Sequence, residues 1–399
     1  MRRVSTTIDV KISNAIKIYT QLRMNSGYSK AELARRVHLS FASVSNMCTE
    51  LERHNLVTVE YNSKSTGGRK AASVTFNSSF AYTIVIDMHH TQHIYVSIVD
   101  LENRLVDSRR FEVLPSDTLD TVLQNIRTTS SALTESRAYR IIAVAVGISA
   151  AFNPVTKTLL QSANPLFERV RLTTYLEEIF PDIPILIEND ANLAALSQSD
   201  TIEGSQKNLL CIFFTQGIGL GIMIHGQLYL GSNGFAGELG HLKVPEGTKR
   251  CKCGSIGCLR TETTLESIAE DLGELSYLLS LPSSAQYAQE LADRYTRGEK
   301  KVKERIDRTA MIIGEVMAEL FDLFNPEEIL LAGNLGPLFP LIRNLIKTRS
   351  QSLSNLSREV DLQIRCIEDK TYELIRKGGA EKAFISWVEE YISSLFLEE

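Results

Sequence analysis

Apolar positions in the first 56 residues recur three or four residues apart, which is the spacing of amphipathic helices. This spacing predicts a helix over about residues 9–24, a second that begins after Ser29 and a third that begins after Ser40. Ser29 and Glu32 are placed as a capping box, in which each side chain accepts a backbone N–H of the other residue. The third helix is predicted to bury Val44, Met47, Cys48 and Leu51.

The opposite face of the third predicted helix carries small, polar side chains. Small side chains of this kind let a helix approach the base edges in the major groove of DNA. Two alternating stretches follow, residues 57–61 and 72–76, and predict strands on either side of a loop. Together these elements predict a winged helix-turn-helix, and a plain helical hairpin is the alternative. The predicted DNA contacts are Ser40, Ala42, Ser43, Ser45, Asn46, Thr49, Arg69 and Lys70.

The charge of this segment supports contact with a polyanion. Residues 1–76 carry 12 Lys and Arg against 5 Asp and Glu, a net charge of +7, whereas the whole chain has a net charge of −5. The remaining residues therefore carry a net charge of −12. The loop between the strands holds Gly67 and Gly68, which let a backbone approach DNA or act as a flexible link.

Strand-like and helical stretches alternate from Tyr82 onward. Hairpin strands mixed with crossover helices predict an α/β domain of two sheets with a cleft between them. We therefore predict a DNA-binding head at residues 1–78 and a body at residues 79–399. The predicted strands cover about residues 83–88, 93–100, 104–113, 141–149, 183–188, 208–215, 219–225 and 328–332, and the predicted helices cover residues 117–135, a segment from Asp190, 301–324 and 374–395.

The composition is typical of a globular protein. Of the 399 residues, 43% are hydrophobic and 23% are charged. The longest nearly apolar run, residues 141–152, is shorter than the roughly 20 residues that span a bilayer. No apolar signal-peptide core follows the basic N-terminus. We therefore expect a cytoplasmic protein, in which six cysteines are too few for a disulfide scaffold.

Three cysteines lie close together, at Cys251, Cys253 and Cys258, with glycines between them. Glycine permits the tight turns of a metal-binding knuckle, and clustered thiols in a reducing compartment are typical of a soft-metal site. With the nearby His241 they form a Cys3His set. This set predicts a structural zinc site, because four protein ligands leave no open position on the metal. Unliganded cysteines and a catalytic zinc are the alternatives.

The chain resembles the ROK group of repressors, open reading frames and kinases, in its transcriptional-regulator branch. The most specific part is Ala-Gly-Glu-Leu-Gly-His at residues 236–241, followed by a Cys-x-Cys-Gly-x-x-Gly-Cys knuckle. The resemblance implies an α/β fold of two actin-like, ribonuclease-H-like lobes, with a zinc knuckle near residues 241–258 and a sugar site in the cleft. Further matching stretches are residues 68–70, 188–192, 217–221 and 226–231.

Three elements differ from what the family's kinases use to bind nucleotide. Residues 87–91 are Asp-Met-His-His-Thr, whereas the kinase loop is Asp-x-Gly-Gly-Thr. Two histidines thus replace the glycines whose backbone N–H groups approach the ATP phosphates. Thr-Gln-Gly at residues 215–217 and Ala-Gly-Asn at residues 332–334 depart from Gly-Thr-Gly and Gly-Gly-Gly. We therefore predict that the protein is not an enzyme.

The sugar side of the implied cleft is better preserved. Asp190 stands at the position of the kinase base, and without ATP it would accept a hydrogen bond from a sugar hydroxyl or cap the following helix. Arg260 replaces a family glutamate and favours an anionic sugar derivative, unless it pairs with Glu262 or Glu238. Residues 148–151 replace the family's Pro-Gly loop. The predicted effector-binding residues are Asn164, Asn189, Asp190, Glu238, His241 and Arg260.

These observations predict a sequence-specific DNA-binding regulator, namely a repressor of carbohydrate-utilisation genes that responds to a sugar or sugar derivative. Its predicted partners are double-stranded operator DNA, the sugar effector and further copies of itself in a homodimer or tetramer. An active ATP-dependent sugar kinase with a DNA-binding head is the alternative from another class. A DNA-binding protein with a degenerate pocket is a third possibility.

Overall fold

The computed structural model describes residues 7–61, 72–135, 137–198, 208–245, 247–281, 283–354, 356–360, 362–367 and 371–397. The helices in this part of the chain are α1 (Thr7–Met24), α2 (Lys30–Val37), α3 (Phe41–Arg53), α4 (Leu119–Thr134), α5 (Leu172–Ile179), α6 (Asp190–Leu196), α7 (Arg260–Thr263), α8 (Leu265–Leu272), α9 (Leu275–Ser280), α10 (Ser284–Thr296), α11 (Lys300–Phe324), α12 (Phe339–Leu353), α13 (Leu356–Glu359) and α14 (Thr371–Leu397). The strands are β1 (Tyr28–Ser29), β2 (Val57–Tyr61), β3 (Ala72–Phe76), β4 (Tyr82–Met88), β5 (His93–Asp100), β6 (Leu105–Glu112), β7 (Ile141–Ile148), β8 (Ala151–Asn153), β9 (Thr158–Leu160), β10 (Ile185–Asn189), β11 (Leu209–Phe214), β12 (Ile218–Ile224), β13 (Gln227–Leu228), β14 (Glu328–Gly333) and β15 (Gln363–Cys366).

The N-terminal head consists of α1, α2 and α3 beside a small antiparallel sheet in the order β1-β3-β2. Both halves of the predicted capping box between Ser29 and Glu32 are present at the start of α2. Ser40 caps α3, since its hydroxyl oxygen accepts the backbone N–H of Ser43 at 3.1 Å. The four residues predicted to be buried on α3 are buried. The loop with Arg69 and Lys70 lies outside the described residues.

The first lobe of the body is built on a sheet with the strand order β10-β7-β4-β5-β6 in the described part of the chain. β4, β7 and β10 run parallel, and β4, β5 and β6 form an antiparallel meander. Since parallel strands end at the same sheet edge, Met88, Ile148 and Asn189 lie in neighbouring register there. Ligands of open α/β sheets bind outside such carboxyl ends.

The second lobe has a sheet with the strand order β13-β12-β11-β14-β15. Phe214 at the end of β11 is opposite Ile218 of β12 and Gly333 of β14. This register brings the turn at residues 215–217 next to residue 334. A large apolar cluster joins the sheet to α8, α10, α11 and α12 and stabilises the lobe.

The last helix, α14, connects segments that are distant in sequence. Gly378 lies against the backbone of Leu193 in α6, where a Cβ atom would clash. Farther along, Phe384 and Ile392 join the apolar cluster of the head. The proposed division at residue 78 stays a prediction, and residues from both sides of it share this cluster.

Helices α5, α8, α9, α10 and α12 were not predicted from periodicity. Most of them are short, and short helices depend on tertiary packing more than on their own propensity. Leu265 and Ile268 of the eight-residue helix α8, for example, are fully buried in the second lobe. In the described residues, no helix has both the length and the apolar character needed to cross a bilayer.

Candidate functional site

Two histidine side chains fill the turn that follows β4. His89 is buried, and both its backbone N–H and its ring Nδ1 contact Oδ1 of Asp87, at 3.1 and 2.6 Å. The ring of His90 packs against that of His89, with 4.0 Å between centroids. Burial lowers the pKa of His90 to about 3, so this ring is neutral at physiological pH. The backbone N–H of His89 is already hydrogen-bonded to the carboxylate of Asp87.

A hydrogen bond connects the two lobes beside these rings, and two further bonds hold the turn that carries it. Nε2 of Gln216 in the second lobe donates to Oγ1 of Thr91 in the first, at 2.9 Å. Nδ2 of Asn334 donates to the carbonyl oxygen of Thr215 at 3.0 Å. Nη2 of Arg260 donates to the carbonyl oxygen of Gln216 at 2.6 Å. The turn at residues 215–217 is thus held by side chains from three segments.

The position of Arg260 is decided by this turn. Its guanidinium lies alongside Gly217 and, in the described part of the chain, bonds Gln216 rather than Glu262 or Glu238. The nearest recorded cation to the carboxylate of Glu262 is Arg308, at 3.7 Å. Arg260 was predicted for the sugar side. It therefore lies next to the turn at residues 215–217, which corresponds to the nucleotide side.

Asp190 is the first residue of α6, directly after β10, and only 4% of it is exposed. The hydroxyl of Ser149 donates to its Oδ2, and the backbone N–H of Ala191 donates to its Oδ1 at 2.9 Å. Burial raises the pKa of Asp190 to about 6, although the bond from Ser149 opposes the shift. The residue at the N-cap position is Asn189, whose Oδ1 also accepts the N–H of Ala191.

Asn189 and Asn164 hold the loops around this carboxylate. Nδ2 of Asn189 donates to the carbonyl oxygen of Ala150 at 3.1 Å. Oδ1 of Asn164 accepts the N–H of Leu166 at 3.0 Å, and its Nδ2 approaches the carbonyl oxygen of Thr91 at 3.4 Å. Both amides therefore position backbone segments that border the cleft.

Glu238 and His241 come from the segment after β13. Glu238 precedes a short turn, Leu239–His241, and His241 is its last residue. Desolvation raises the pKa of Glu238, and the positive potential of His241 and Arg260 opposes this shift. In the described residues, no side chain is hydrogen-bonded to the Glu238 carboxylate. The structure thus groups Asn189 with Asp190, groups Glu238 with His241 and Arg260, and places Asn164 beside Thr91.

The cluster of His241, Cys251, Cys253 and Cys258 is assembled as the sequence predicted. All four ligand atoms lie within 4.8 Å of one another. Nδ1 of His241 is 3.8 Å from Sγ of Cys251, and the Sγ atoms of Cys253 and Cys258 are 3.7 Å apart. Thiolates bound at about 2.3 Å to a tetrahedral ion lie about 3.8 Å apart, so this arrangement suits a four-coordinate metal.

The thiols of this cluster differ in their pKa. A backbone hydrogen bond from Ser255 lowers the pKa of the Cys253 thiol to about 6, whereas desolvation raises the pKa of the Cys251 thiol. Nζ of Lys243 lies 2.9 Å from Sγ of Cys258. Cys48 is buried as predicted, Cys211 is buried as well, and Cys366 is half-buried.

The predicted DNA contacts that are described lie on α3 and at its N-cap. Ala42, Asn46 and Thr49 are exposed, whereas Ser43 and Ser45 are half-buried. Oγ1 of Thr49 donates to the carbonyl oxygen of Ser45 at 3.0 Å. Between Ala42 and Thr49 the exposed side chains of α3 are therefore small, and their role in contacting DNA stays a prediction.

The sequence model of the ROK family matches residues 83–369, most of the body. The chain belongs to the ROK family. It is 25% identical to a xylose repressor of Bacillus spizizenii, over 86% of this chain and 88% of that protein. It is 24% identical to the DNA-binding transcriptional dual regulator NagC of Escherichia coli K12, over 86% of each chain.

Solved structures of ROK proteins have the same fold. A ROK family transcriptional regulator, a homolog of the E. coli MLC protein, superposes with a TM-score of 0.74 at 19% identity and covers 96% of this chain and 99% of its own. A ROK hexokinase from Thermus thermophilus gives a TM-score of 0.62 at 22% identity, over 76% of this chain and 98% of its own. The predicted fold, a winged helix-turn-helix followed by a two-lobed ROK domain, is confirmed.

Three residues of the cleft were missed by sequence reasoning. Ser149 was noted only as a departure from the family pattern, yet its hydroxyl contacts Asp190. Gln216 bonds across the lobes, and Glu188 binds Lys382 of α14 at 2.5 Å. Ser149 and Glu188 could have been found from their places at the ends of neighbouring parallel strands. The partner of Gln216 depends on how the lobes meet, which local patterns do not specify.

Proposed function

We propose that this ROK protein is a transcriptional repressor of carbohydrate-utilisation genes whose cleft binds a sugar or sugar derivative without phosphorylating it. The observation that carries the proposal is the contrast within the cleft. Its nucleotide side is filled by His89, His90 and the bonds of Gln216, while its sugar side keeps the buried carboxylate of Asp190. The similarity to a xylose repressor and to NagC supports the same function.

The head would bind operator DNA as part of a dimer. Its net charge of +7 attracts the phosphate backbone, and the exposed face of α3 is small enough to enter the major groove. A two-fold dimer would recognise a pseudo-palindrome whose half-sites are separated by whole helical turns. Selection of duplexes from a random pool, followed by titration at several salt concentrations, tests this. Equal, weak affinity for all duplexes would contradict an operator-binding role.

The Cys3His cluster would hold one structural zinc ion per chain. Three thiol ligands and one imidazole suit zinc, and four protein ligands leave no position for a substrate. His241 would coordinate through Nδ1, which is the atom that faces Cys251, so its Nε2 remains for a partner in the cleft. Elemental analysis of protein purified without chelator should find about one zinc ion per chain.

Helix α14 supplies a contact route from the cleft to the head. Lys382 binds Glu188 of β10, which directly precedes Asn189 and the first residue of α6, Asp190. The adjacent residue, Glu381, accepts a hydrogen bond from Nη2 of Arg23 in α1 at 2.7 Å, and both side chains are buried. A sugar that shifts β10 would therefore move α14 relative to the head.

This route has a direct test. The Lys382→Met variant should keep its affinity for sugar and for DNA but lose part of the effect that the sugar has on DNA affinity. The exposed Lys300 of α11, changed to Met, is the control. Unchanged coupling in Lys382→Met would exclude the contact between Lys382 and Glu188 as the route.

A thermal-shift screen would identify the effector. The probes are xylose, N-acetylglucosamine, their phosphates and the corresponding sugar acids, and a bound sugar should raise the Tm. A sugar that binds should then change the affinity for the selected duplex. Failure of every sugar to change the Tm or the DNA affinity would favour a DNA-binding protein with a degenerate pocket.

An active sugar kinase is the second candidate, and Asp190 is the observation that favours it. A carboxyl with a pKa near 6 is suited to accept a proton from a sugar hydroxyl near neutral pH. ATP-dependent formation of a sugar phosphate, abolished in Asp190→Asn, would establish this activity. Absence of product from sugars that bind would support the regulator alone.

A further inference from the structure

Phe41 is an exposed aromatic side chain at the start of α3. It is 58% exposed, and it is the one phenylalanine among the exposed large apolar side chains of the described residues. α3 buries Val44, Met47, Cys48 and Leu51 in the head, so Phe41 is outside its packed face. An apolar ring in this position does not contribute to the core of the head.

The position of Phe41 in the helix determines what it can reach. Ser40 is the N-cap, which makes Phe41 the first residue inside α3. In a helix-turn-helix, the second helix is the recognition helix, and its N-terminal residues contact the base edges in the major groove. Ala42 and Asn46 share the exposed surface with Phe41. Phe41 therefore lies among the side chains that are predicted to contact bases.

The surroundings of Phe41 are suited to the DNA backbone as well. Ser45 lies one helical turn after Phe41, and its Oγ accepts a hydrogen bond from Nζ of Lys30 at 3.4 Å. Lys30 begins α2, so a cation is present on this flank of α3. A flank that carries an apolar ring and a cation can meet a base edge and a phosphate at once.

We propose that Phe41 contacts the C5-methyl group of a thymine in each half-site of the operator and thereby sets sequence preference at that position. Thymine is the base that presents a methyl group in the major groove, and apolar side chains recognise it there. Asn46 would read a neighbouring base through hydrogen bonds. The inference rests on the proposed function, because it requires a DNA duplex beside α3.

The test removes the methyl group from the DNA. A duplex selected by the wild-type protein from a random pool is remade with deoxyuridine in place of each thymine in turn, which deletes only the C5-methyl. At one position per half-site, the wild-type protein should bind the deoxyuridine duplex about fourfold more weakly. This is the loss of affinity expected when the burial of one methyl-sized group is removed from the interface. Phe41→Ala should bind the thymine and deoxyuridine duplexes equally well.

Two variants separate this contact from a general loss of binding. Phe41→Leu keeps an apolar side chain and should retain part of the methyl discrimination. Asn46→Ala should bind more weakly overall and keep the methyl discrimination of the wild-type protein. Circular dichroism melts would verify that Phe41→Ala folds normally, as expected for a side chain outside the packed face.

The outcomes distinguish this inference from the proposed function. Sequence-specific binding in which Phe41→Ala discriminates against deoxyuridine as strongly as the wild-type protein would refute the Phe41 contact alone. Specific binding with no thymine whose methyl group matters would refute it too. No sequence preference in the wild-type protein would refute both the contact and the operator-binding role.

Discussion

The two sides of the cleft differ in how their polar groups are used. On the nucleotide side, His89 contacts the Asp87 carboxylate, Gln216 bonds the Thr91 hydroxyl, and Asn334 bonds the backbone carbonyl of Thr215. On the sugar side, Asp190, Asn189 and Asn164 also bond the protein, whereas the Glu238 carboxylate is hydrogen-bonded to no side chain in the described part of the chain. Polar groups that already have protein partners must lose them before they can bind a ligand, which costs free energy.

This difference separates two properties that a kinase needs together. A sugar site requires convergent acceptors and donors, whereas a phosphate site requires open backbone N–H groups. In the proposed function, this chain keeps the first arrangement, and the packed rings of His89 and His90 take the place of the second. The comparison explains how one fold can serve a kinase in one protein and a sensor in another. Mutations on the two sides should therefore have different effects on ligand binding.

Loss of the knuckle should have the largest effect, and it should act on the sugar side. Cys253→Ser should lower the bound zinc well below one ion per chain and reduce the Tm, on the order of 10 °C. It should also weaken sugar binding, because His241 of the cluster is a predicted effector-binding residue too. Elemental analysis and calorimetry measure both effects.

The half-buried Cys366, changed to Ser, is the control for the knuckle. It lies outside the cluster and should keep the zinc. A Cys253→Ser protein with full zinc content and unaltered sugar affinity would show that the knuckle does not contribute to sugar binding.

Asp190→Asn should weaken sugar binding by roughly 10- to 100-fold. This is the change in affinity that corresponds to the free energy of one hydrogen bond to a charged acceptor. Calorimetric titration measures this loss, and DNA affinity without sugar should not change. Asp182→Asn, an exposed change at the opposite end of β10, is the control. Equal sugar affinity in Asp190→Asn and the wild-type protein would place the ligand elsewhere.

Sugar binding should depend on pH through Asp190. Its pKa is raised to about 6, so the accepting carboxylate is present above pH 6 and is lost as pH falls through this value. Affinity should decline below pH 6, by up to about tenfold per pH unit. Titrations between pH 5 and 7.5 measure the decline, and the same profile in Asp190→Asn would assign it to another group.

Arg260→Glu should have a smaller effect, a shift of about 3- to 10-fold in preference from anionic towards neutral sugars. Competition between a neutral sugar and its acid measures the shift. The same change removes the bond from Arg260 to Gln216. An unaltered ratio of affinities would limit Arg260 to holding that turn.

Restoring glycine at both His89 and His90 should have the smallest effect and should not create ATP binding. Gln216 and Asn334 would still hold the turn at residues 215–217. A thermal-shift titration with Mg-ATP should show no increase in Tm. A clear increase would mean that the two rings alone block the nucleotide side.

Much of the architecture could be predicted because it rests on local patterns. Ser29 and Ser40 cap their helices as expected, and β5 has the predicted bounds, residues 93–100. The Cys3His cluster assembles as predicted because its three cysteines lie within one tight turn, while its role as a metal site stays a prediction. The short helices of the second lobe were missed, since their apolar positions acquire a meaning only when the lobe packs around them.

The order of elements, the charged head and the four members of the Cys3His cluster can all be inferred from local sequence patterns. Only tertiary packing brings distant residues together: the hydroxyl of Ser149 with the carboxylate of Asp190, the guanidinium of Arg260 with the backbone carbonyl of Gln216, and Arg23 with Glu381, which are 358 residues apart. It also assigned the helix cap to Asn189 rather than Asp190. The physical reason is that a cap or an amphipathic face is a property of a few neighbouring residues. A bond between lobes depends on how close the packed sheets and helices bring two backbones together.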